Sequence, residues 1–199
     1  MGKMIVVWIS GATGAMYGVR ALEVLRADPD VETHLIITDA GALTIEEETD
    51  WSVADVVALA DRVYDVHGIG ARISSGSFLH DGMLIAPCSI KSMSMIANSI
   101  NSSLLVRAAD VTLKERRRLV LVVRETPLHL GHLRLLVSLA EVGAVILPPM
   151  PCFYQRPETL EEIIDHTVGR ILDQLGIQHQ LLRRWTGTDP TRRLSLEEE

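Results

Sequence analysis

The chain has 199 residues, of which 47% are hydrophobic and 23% are charged, and its formal net charge is −7. This length fits one domain with a sizeable core, and the hydrophobic content excludes a disordered chain. The negative net charge argues against nucleic acid as a partner, because a protein that binds a duplex needs a basic surface.

Cysteine content and the N-terminal sequence indicate the cellular compartment of the protein. Cys88 and Cys152 form no CxxC pair and no disulfide framework, which indicates a reducing compartment. The N-terminal run MGKMIVVWISGATG breaks at glycines and is too short for a signal peptide or a membrane span. We expect a cytoplasmic protein without a membrane span.

Short apolar runs rich in β-branched residues alternate with longer amphipathic stretches along the chain. Strands are predicted at Met4–Ile9, Thr33–Thr38, Met83–Ala86, Leu119–Val123 and Ala144–Leu147. Helices are predicted at Ala15–Arg26, Ala40–Glu47, Val53–Ala60, Ser89–Asn98, Ser103–Lys114, Gly131–Val142 and Thr159–Leu175. This alternation predicts an α/β protein with a doubly wound parallel sheet, flavodoxin-like or Rossmann-like. We expect a single domain over residues 1–187, followed by a polar C-terminal tail over residues 188–199.

The residues that follow each strand are the candidate site residues, because ligands of such sheets bind beyond the carboxyl ends of the strands. The sequence SGATGAMYG, residues 10–18, follows the first strand. Its glycines permit a tight turn, and the helix that follows offers free backbone N–H groups to an anion. The spacing differs from the dinucleotide pattern GxGxxG, and on this stretch alone a plain tight turn explains it equally well.

The other strand ends also carry polar groups. Thr38 supplies a hydroxyl after the second strand, and Ser89 in PCSIKS caps the helix after the third. The fourth strand ends in Arg124 and Glu125, and the fifth runs into the stiff segment PPMPCFY, which ends at Tyr154. Together these groups favour an anion with a flat ring as the ligand, but they indicate no particular reaction.

Three further features have a structural and a functional interpretation. The basic cluster of Lys114 and residues 116–118 either complements a helix dipole or binds phosphate. The acidic run at residues 46–50 is typical of solvated surface, although one member could serve chemistry. His129 and His132 lack a third ligand at a suitable spacing, so a hydrogen-bonded pair is favoured over a metal site.

Five stretches carry a resemblance to a known family. They are SGATGAMYGVRALEVLR, APCSIKS, RAADVTLKERRRLVLVVRETPLHLGHLRLL, GAVILPPMPCFYQRPETLEEIIDHTVGRILDQLG and RRW, in this order. Together they closely resemble the UbiX-type flavin prenyltransferases over nearly the whole span from Met4 to Trp185. The resemblance implies a flavodoxin-like fold, a homododecamer with active sites at subunit contacts, and no metal. It also implies transfer of a dimethylallyl group from dimethylallyl phosphate to N5 and C6 of reduced FMN, with prenylated FMN passed to a UbiD-type decarboxylase.

The resemblance also assigns roles to individual residues. It places FMN against Gly11, Ala12, Thr13, Thr38, Ser89, Ile90, Lys91, Ser92, Arg107 and Arg124. It places the prenyl phosphate near Lys114, Arg124, Tyr154 and Arg170, with Trp185 helping to close the site. Glu48 and Glu125 fall at carboxylates that handle protons, and with Lys114 they form the expected catalytic set. Fixed cations of this kind stabilise a departing phosphate, whereas residues 116–118 are expected at the surface or at a subunit contact.

The chain departs from the family pattern at four positions. Thr13 and Thr38 stand where many members have serine, and they keep the hydroxyl. Trp8 stands where glycine is common and Cys152 where alanine or glycine is common, so both are expected to add bulk near the pocket and change how the prenyl chain fits.

Two alternative functions remain open from the sequence. A flavin-dependent cysteine decarboxylase would use a histidine base, for which His67 is a candidate, but the loop PCSIKSMS lacks the asparagine of the PxSANT-type motif. A non-catalytic FMN-binding subunit of a decarboxylase is the second alternative. Such a scaffold would not need the catalytic and phosphate-binding set of Glu48, Lys114, Arg124, Glu125, Tyr154 and Arg170. The presence of this set therefore favours an enzyme. The choice between phosphate and diphosphate as the leaving group also stays open.

Overall fold

The computed structural model describes residues 2–185 and residue 187 of the chain. Within this part, six parallel strands form one sheet in the order β3-β2-β1-β4-β5-β6. The strands are β1 Lys3–Ile9, β2 Val31–Ile37, β3 Arg62–Tyr64, β4 Gly82–Cys88, β5 Arg118–Val123 and β6 Val145–Ile146. This order is that of a doubly wound sheet, and the predicted fold class is confirmed.

Helices connect the strands and cover both faces of the sheet. They are α1 Ala15–Arg26, α2 Asp39–Glu48, α3 Val53–Ala58, α4 Ile90–Ala97, α5 Leu104–Lys114, α6 Leu130–Glu141 and α7 Leu160–Leu175. Single 3₁₀ turns occur at Arg72–Ser74 and Phe153–Gln155. Within the described residues, no helix combines the length and the apolar composition that crossing a bilayer requires.

The edge strands differ from the prediction. The strand β3 was not predicted, because it has three residues and its central Val63 is 48% exposed, so it lacks an apolar run. The strand β6 covers two residues instead of the expected four. The predicted C-terminal tail lies outside the described residues.

The core has two layers because successive residues of a strand point to opposite faces of the sheet. Val7 and Ile9 of β1 pack under α1 and α7, whereas Val6 and Trp8 pack under α4 and α5. Both faces are buried, so the central strands are continuous apolar runs rather than alternating ones.

The strand order reverses between β1 and β4, and the loops after these two strands are joined. The Ser10 hydroxyl donates to the Pro87 carbonyl oxygen at 2.8 Å and accepts from the Ser89 amide at 2.9 Å. Gly18 brings α1 onto β4, since a Cβ at this position would lie 2.2 Å from the Ala86 carbonyl oxygen. The crevice at such a reversal is where doubly wound sheets bind ligands.

Candidate active site

Eight of the ten predicted flavin-binding residues lie on, or directly after, three loops at the carboxyl ends of the strands. These loops follow β1, β2 and β4, which are neighbours in the sheet. The first loop carries Gly11, Ala12 and Thr13, and the second carries Thr38. The third carries Ser89 and leads into the first turn of α4, which contains Ile90, Lys91 and Ser92. The structure therefore brings these eight residues to the same edge, whereas Arg107 lies on α5 and Arg124 follows β5.

Two of the predicted hydroxyl groups also cap helices. The Thr38 Oγ1 accepts from the Gly41 amide at 2.9 Å, and the Ser89 Oγ accepts from the Ser92 amide at 3.2 Å. Because Oγ1 of Thr38 accepts in this contact, its hydroxyl proton remains available to a ligand. The Ser89 hydroxyl donates to the Ser92 hydroxyl at 3.1 Å.

Glu48 caps the start of α1. Its Oε2 accepts from the Gly14 amide at 2.6 Å and from the Ala15 amide at 3.3 Å. A carboxylate at the end of α2 opposes the dipole of its own helix, but here it stabilises the positive end of α1. The expectation that α1 offers free N–H groups to a ligand is therefore wrong for Gly14 and Ala15, because Glu48 already binds both.

A pocket of about 1010 Å³ opens between the start of α1, the end of β5, the loop after β6 and the start of α7. Part of its lining is polar and includes Thr13, Glu48, Arg124 and Glu125. Most of the remaining lining is apolar and includes Leu128, Leu136, Pro148, Pro149, Met150, Pro151, Leu160, Ile163 and Ile164. The pocket thus combines charged groups with a hydrophobic surface.

Arg124 and Glu125 reach this pocket because they follow β5 directly. The Arg124 amide donates to the Cys88 carbonyl oxygen at 3.2 Å, and the Glu125 Oε1 accepts from the Thr126 amide at 3.0 Å. Within the described residues, Arg124 and Glu125 do not form an ion pair with each other. Each side chain is therefore available to a different part of a ligand.

Tyr17 is a pocket residue that the sequence did not indicate. Burial raises the pKa of its phenol, and the Arg124 guanidinium opposes this rise in pKa, so the two side chains are near each other. The tyrosine lies three residues after Gly14, and its ring would be 3.0 Å from a Cβ built there. Its position in GATGAMYG, one turn into the helix after the glycine loop, was the available signal.

Two predicted site residues lie away from this pocket within one subunit. Lys114 ends α5, before the amino end of β5, whereas Arg124 follows its carboxyl end. The six residues of β5 span roughly 20 Å at about 3.3 Å per residue. Lys114 pairs with Glu115, and the Arg107 Nε donates to the Ser74 carbonyl oxygen at 3.1 Å.

Tyr154, Arg170 and Trp185 are not among the residues that line the large pocket. The Tyr154 and Trp185 rings meet edge to face with centroids 5.4 Å apart, and the His166 ring lies 6.5 Å from Tyr154. Arg170 and His166 line a smaller cavity of about 290 Å³, which adjoins the large pocket at Pro148 and Met150.

Comparison with known proteins identifies the family. The flavoprotein family model matches residues 1–173. The flavin prenyltransferase UbiX of Escherichia coli (strain K12) is 57% identical over 187 residues, covering 93% of this chain and 99% of that protein. The chain belongs to the UbiX-type flavin prenyltransferases.

Solved structures of UbiX-type proteins have the same fold. AnUbiX (PadA1), in complex with FMN and dimethylallyl pyrophosphate, has a TM-score of 0.92 at 46% identity, covering 95% of this chain and 100% of that one. A dodecameric FMN-dependent UbiX-like decarboxylase from Escherichia coli O157:H7 has a TM-score of 0.91 at 48% identity, covering 92% and 100% of the two chains.

Trp8 and Cys152 are bulkier than the residues common at these positions in the UbiX-type pattern, and neither lines the large pocket. Trp8 is fully buried in the core layer under α4 and α5. Cys152 lines a separate cavity of about 460 Å³ under the C-terminal residues, together with His166 and Leu181. In the single subunit, neither side chain lines the space between Glu48 and Glu125.

His129 and Cys88 have structural roles in the described residues. No three His, Cys, Asp or Glu side chains within them converge as metal ligands. His129 instead caps α6, because its Nδ1 accepts from the Gly131 amide at 3.0 Å and the His132 amide at 3.3 Å. Burial raises the pKa of the Cys88 thiol to about 12, which leaves it protonated and unreactive.

Proposed function

We propose that this chain is a flavin prenyltransferase that joins the dimethylallyl group of dimethylallyl phosphate to N5 and C6 of reduced FMN. The observation that carries the proposal is the pocket whose lining combines Arg124, Glu48 and Glu125 with many apolar side chains. A prenyl phosphate also combines a charged group with an apolar one, because it has a phosphate head and a hydrocarbon tail. The 57% identity to a flavin prenyltransferase supports the same reaction.

The residues at the sheet edge fit FMN. The loops after β1 and β2 approach each other so closely that two positions require glycine. A Cβ at Gly11 would lie 2.3 Å from the Ala40 Cβ, and a Cβ at Gly41 would lie 2.5 Å from the Ile9 carbonyl oxygen. The hydroxyl of Thr38 and polar groups at the start of α4, from Ser89 to Ser92, can donate hydrogen bonds to a flavin. When bound, reduced FMN supplies the electron-rich ring atoms that accept the prenyl group.

The arginines and Lys114 would bind the phosphate and stabilise it as it leaves. Arg124 can contact two phosphate oxygens at once and already faces the pocket. Fixed cations favour the transition state because negative charge accumulates on the departing group. Arg170, in the adjoining cavity, would add a second guanidinium.

A second subunit would supply Lys114 and Arg107. Both lie away from the pocket of their own subunit, and α6 exposes an apolar stripe of Leu130, Leu133 and Val137 that suits a subunit contact. We therefore propose a homododecamer, which is the state of the UbiX-like relative from Escherichia coli O157:H7. In this assembly each active site would combine residues of different copies.

Glu125 would take the proton released when the prenyl group bonds to C6. Its carboxylate lies in the pocket at the end of β5 and keeps Oε2 available, because the Thr126 amide binds Oε1. Glu48 is the second candidate for proton handling, although both of its contacts to α1 involve Oε2. Prenylated FMN would then pass to a UbiD-type decarboxylase in the cytoplasm.

The test is a single incubation followed by mass spectrometry of the flavin. The purified protein is mixed anaerobically with reduced FMN and with dimethylallyl phosphate or, in a parallel sample, dimethylallyl diphosphate. A gain of one prenyl group in the flavin is expected, and comparison of the two samples identifies the leaving group. Recovery of unmodified FMN from both samples would overturn the proposal.

A further inference from the structure

The residues that follow α7 pack directly on that helix. We call residues 177–185 the C-terminal segment. A Cβ built at Gly169 of α7 would lie 2.6 Å from Leu182 Cδ2 and 2.8 Å from His179 Cε1, so the segment contacts bare helix backbone. Gly169 thus permits an approach that any side chain would prevent.

Asp173 lies one turn further along α7 and joins the helix to the C-terminal segment. Its Oδ1 accepts from Arg184 Nη2 at 2.7 Å and lies 3.2 Å from His179 Nε2. Its Oδ2 accepts from Arg184 Nη1 and from Arg170 Nη1, both at 3.2 Å. The carboxylate is 17% exposed, and the hydrogen bond from Arg184 is the main cause that lowers its pKa.

The far end of the segment is fixed to the turn that carries Tyr154. Gln155 Nε2 donates to the Arg183 carbonyl oxygen at 2.7 Å, and the Trp185 ring lies edge to face against Tyr154. Asp173 is therefore connected through Arg184 to the Trp185–Tyr154 contact, and directly to Arg170.

We infer that Asp173 is a positioning residue for prenyl phosphate binding. It holds Trp185 against Tyr154 through the C-terminal segment, and it orients Arg170 while occupying one of that side chain's five N–H donors. The remaining donors of Arg170 are then available to phosphate oxygens. This role rests on the proposed function, in which Tyr154 and Arg170 bind the prenyl phosphate.

The test compares Asp173→Asn with a matched control on the same helix. Asparagine keeps the shape but loses the charge and one acceptor, so the KM for dimethylallyl phosphate should rise about tenfold, with a smaller change in kcat. The affinity for FMN should not change. Asp165→Asn is the control, because Asp165 pairs with Arg20 at 2.6 Å and makes no hydrogen bond to the C-terminal segment in the described structure.

Acrylamide quenching of Trp185 fluorescence supplies a readout that needs no catalysis. The signal is isolated by subtracting the emission of a Trp185→Phe variant in the same background, which removes the contribution of Trp8 and Trp51. Quenching should increase in Asp173→Asn and stay at the wild-type level in Asp165→Asn. Arg184→Gln is a second variant that leaves the core untouched, since Arg184 is exposed, and it should increase both quenching and KM.

The outcomes separate this role from the proposed function. Increased quenching with an unchanged KM would overturn the role of Asp173 and leave the reaction intact. Unchanged quenching in both Asp173→Asn and Arg184→Gln would show that Asp173 does not hold the segment. Absence of prenyl transfer by the wild-type protein would overturn the proposed function, and this role would be overturned with it.

Discussion

Two carboxylates face the large pocket, and the protein holds them in different ways. Glu48 binds two backbone N–H groups of α1, so its position depends on α2 and α1 meeting. Among the described residues, Glu125 binds the amide of Thr126 alone, and it is exposed at the end of β5. The second arrangement leaves more of the carboxylate for a ligand, which favours Glu125 as the base.

Glu125→Gln tests this assignment. Glutamine keeps an oxygen that can accept from the Thr126 amide, so the loop and the affinity for FMN should be preserved. Loss of the base should slow formation of prenylated FMN by about 10²–10⁴-fold. The rate is measured in single turnovers by mass spectrometry. A wild-type rate would exclude Glu125 as the base and transfer the role to Glu48, for which Glu48→Gln is the corresponding variant.

The central strands are predictable because a strand that is buried on both faces is a continuous apolar run. The helices are predictable from their amphipathic pattern and from the capping residues at their ends. The helix α1, for example, has the predicted bounds, and α7 ends at the predicted Leu175 but begins one residue after the predicted Thr159, which caps it instead. The strand β3 was not predictable, because an edge strand with exposed side chains needs no apolar run. The lining of the pocket was not predictable either, because Tyr17, Leu136 and Ile163 come from three separate helices and only the folded chain brings them together.

The contact between α1 and β4 gives a prediction about stability. Gly18→Ala would place a Cβ 2.2 Å from the Ala86 carbonyl oxygen and 2.8 Å from the Ile9 Cγ1, so α1 must move away from the sheet. Such overpacking should lower the free energy of unfolding by about 1–3 kcal/mol, although alanine favours the helix. FMN should also bind more weakly, because α1 follows the Gly11–Thr13 loop.

Gly70→Ala is the matched control for this prediction. A Cβ at Gly70 would meet nothing within 4 Å, and its backbone does not need glycine. Its urea unfolding curve and FMN affinity should equal those of the wild type. If Gly18→Ala is as stable as Gly70→Ala, the close packing of α1 on β4 does not limit stability.

The pairing of β2 with the edge strand β3 gives a prediction about pH. The His34 ring is fully buried, with Nδ1 2.8 Å from the Tyr64 hydroxyl and Nε2 3.1 Å from Glu32 Oε1. Burial lowers the pKa of His34 below its ordinary value of 6.5, although Glu32 opposes this. The unfolded chain therefore binds a proton more readily than the folded protein does.

The free energy of unfolding should accordingly fall as the pH drops below about 6.5 towards the folded pKa. Urea unfolding at about pH 7.5 and about pH 5.5 measures this loss. His80 contributes with the same sign, because burial also lowers its pKa. His34→Gln should show a smaller fall than the wild type, and an identical fall in both proteins would exclude His34 as a source of the acid sensitivity.

On the scale of the whole molecule, the predicted site residues divide into two groups. Arg124, Glu125 and Glu48 lie in the large pocket, whereas Lys114 lies beyond the opposite end of β5. A strand of six residues cannot bring its two ends together, so one subunit alone cannot place Lys114 beside Arg124. If all of these residues serve one reaction, the active site must form between copies of the chain.

This division predicts that two inactive variants restore each other when they assemble together. Lys114→Ala and Arg124→Ala should each lack activity as pure proteins, because each removes a phosphate-binding cation. In co-expressed mixed oligomers, a site that takes Arg124 from one copy and Lys114 from another is intact in about one quarter of cases if assembly is random. Prenylated FMN should therefore form at about a quarter of the wild-type rate.

Co-expression of Arg124→Ala with Glu125→Gln is the control, because both changes fall on the residues that one copy contributes to a site. Every site in this mixture then carries one defect. Recovery in the first mixture and none in the second would establish a shared site, whereas equal inactivity of both mixtures would mean that Lys114 and Arg124 do not act together across subunits.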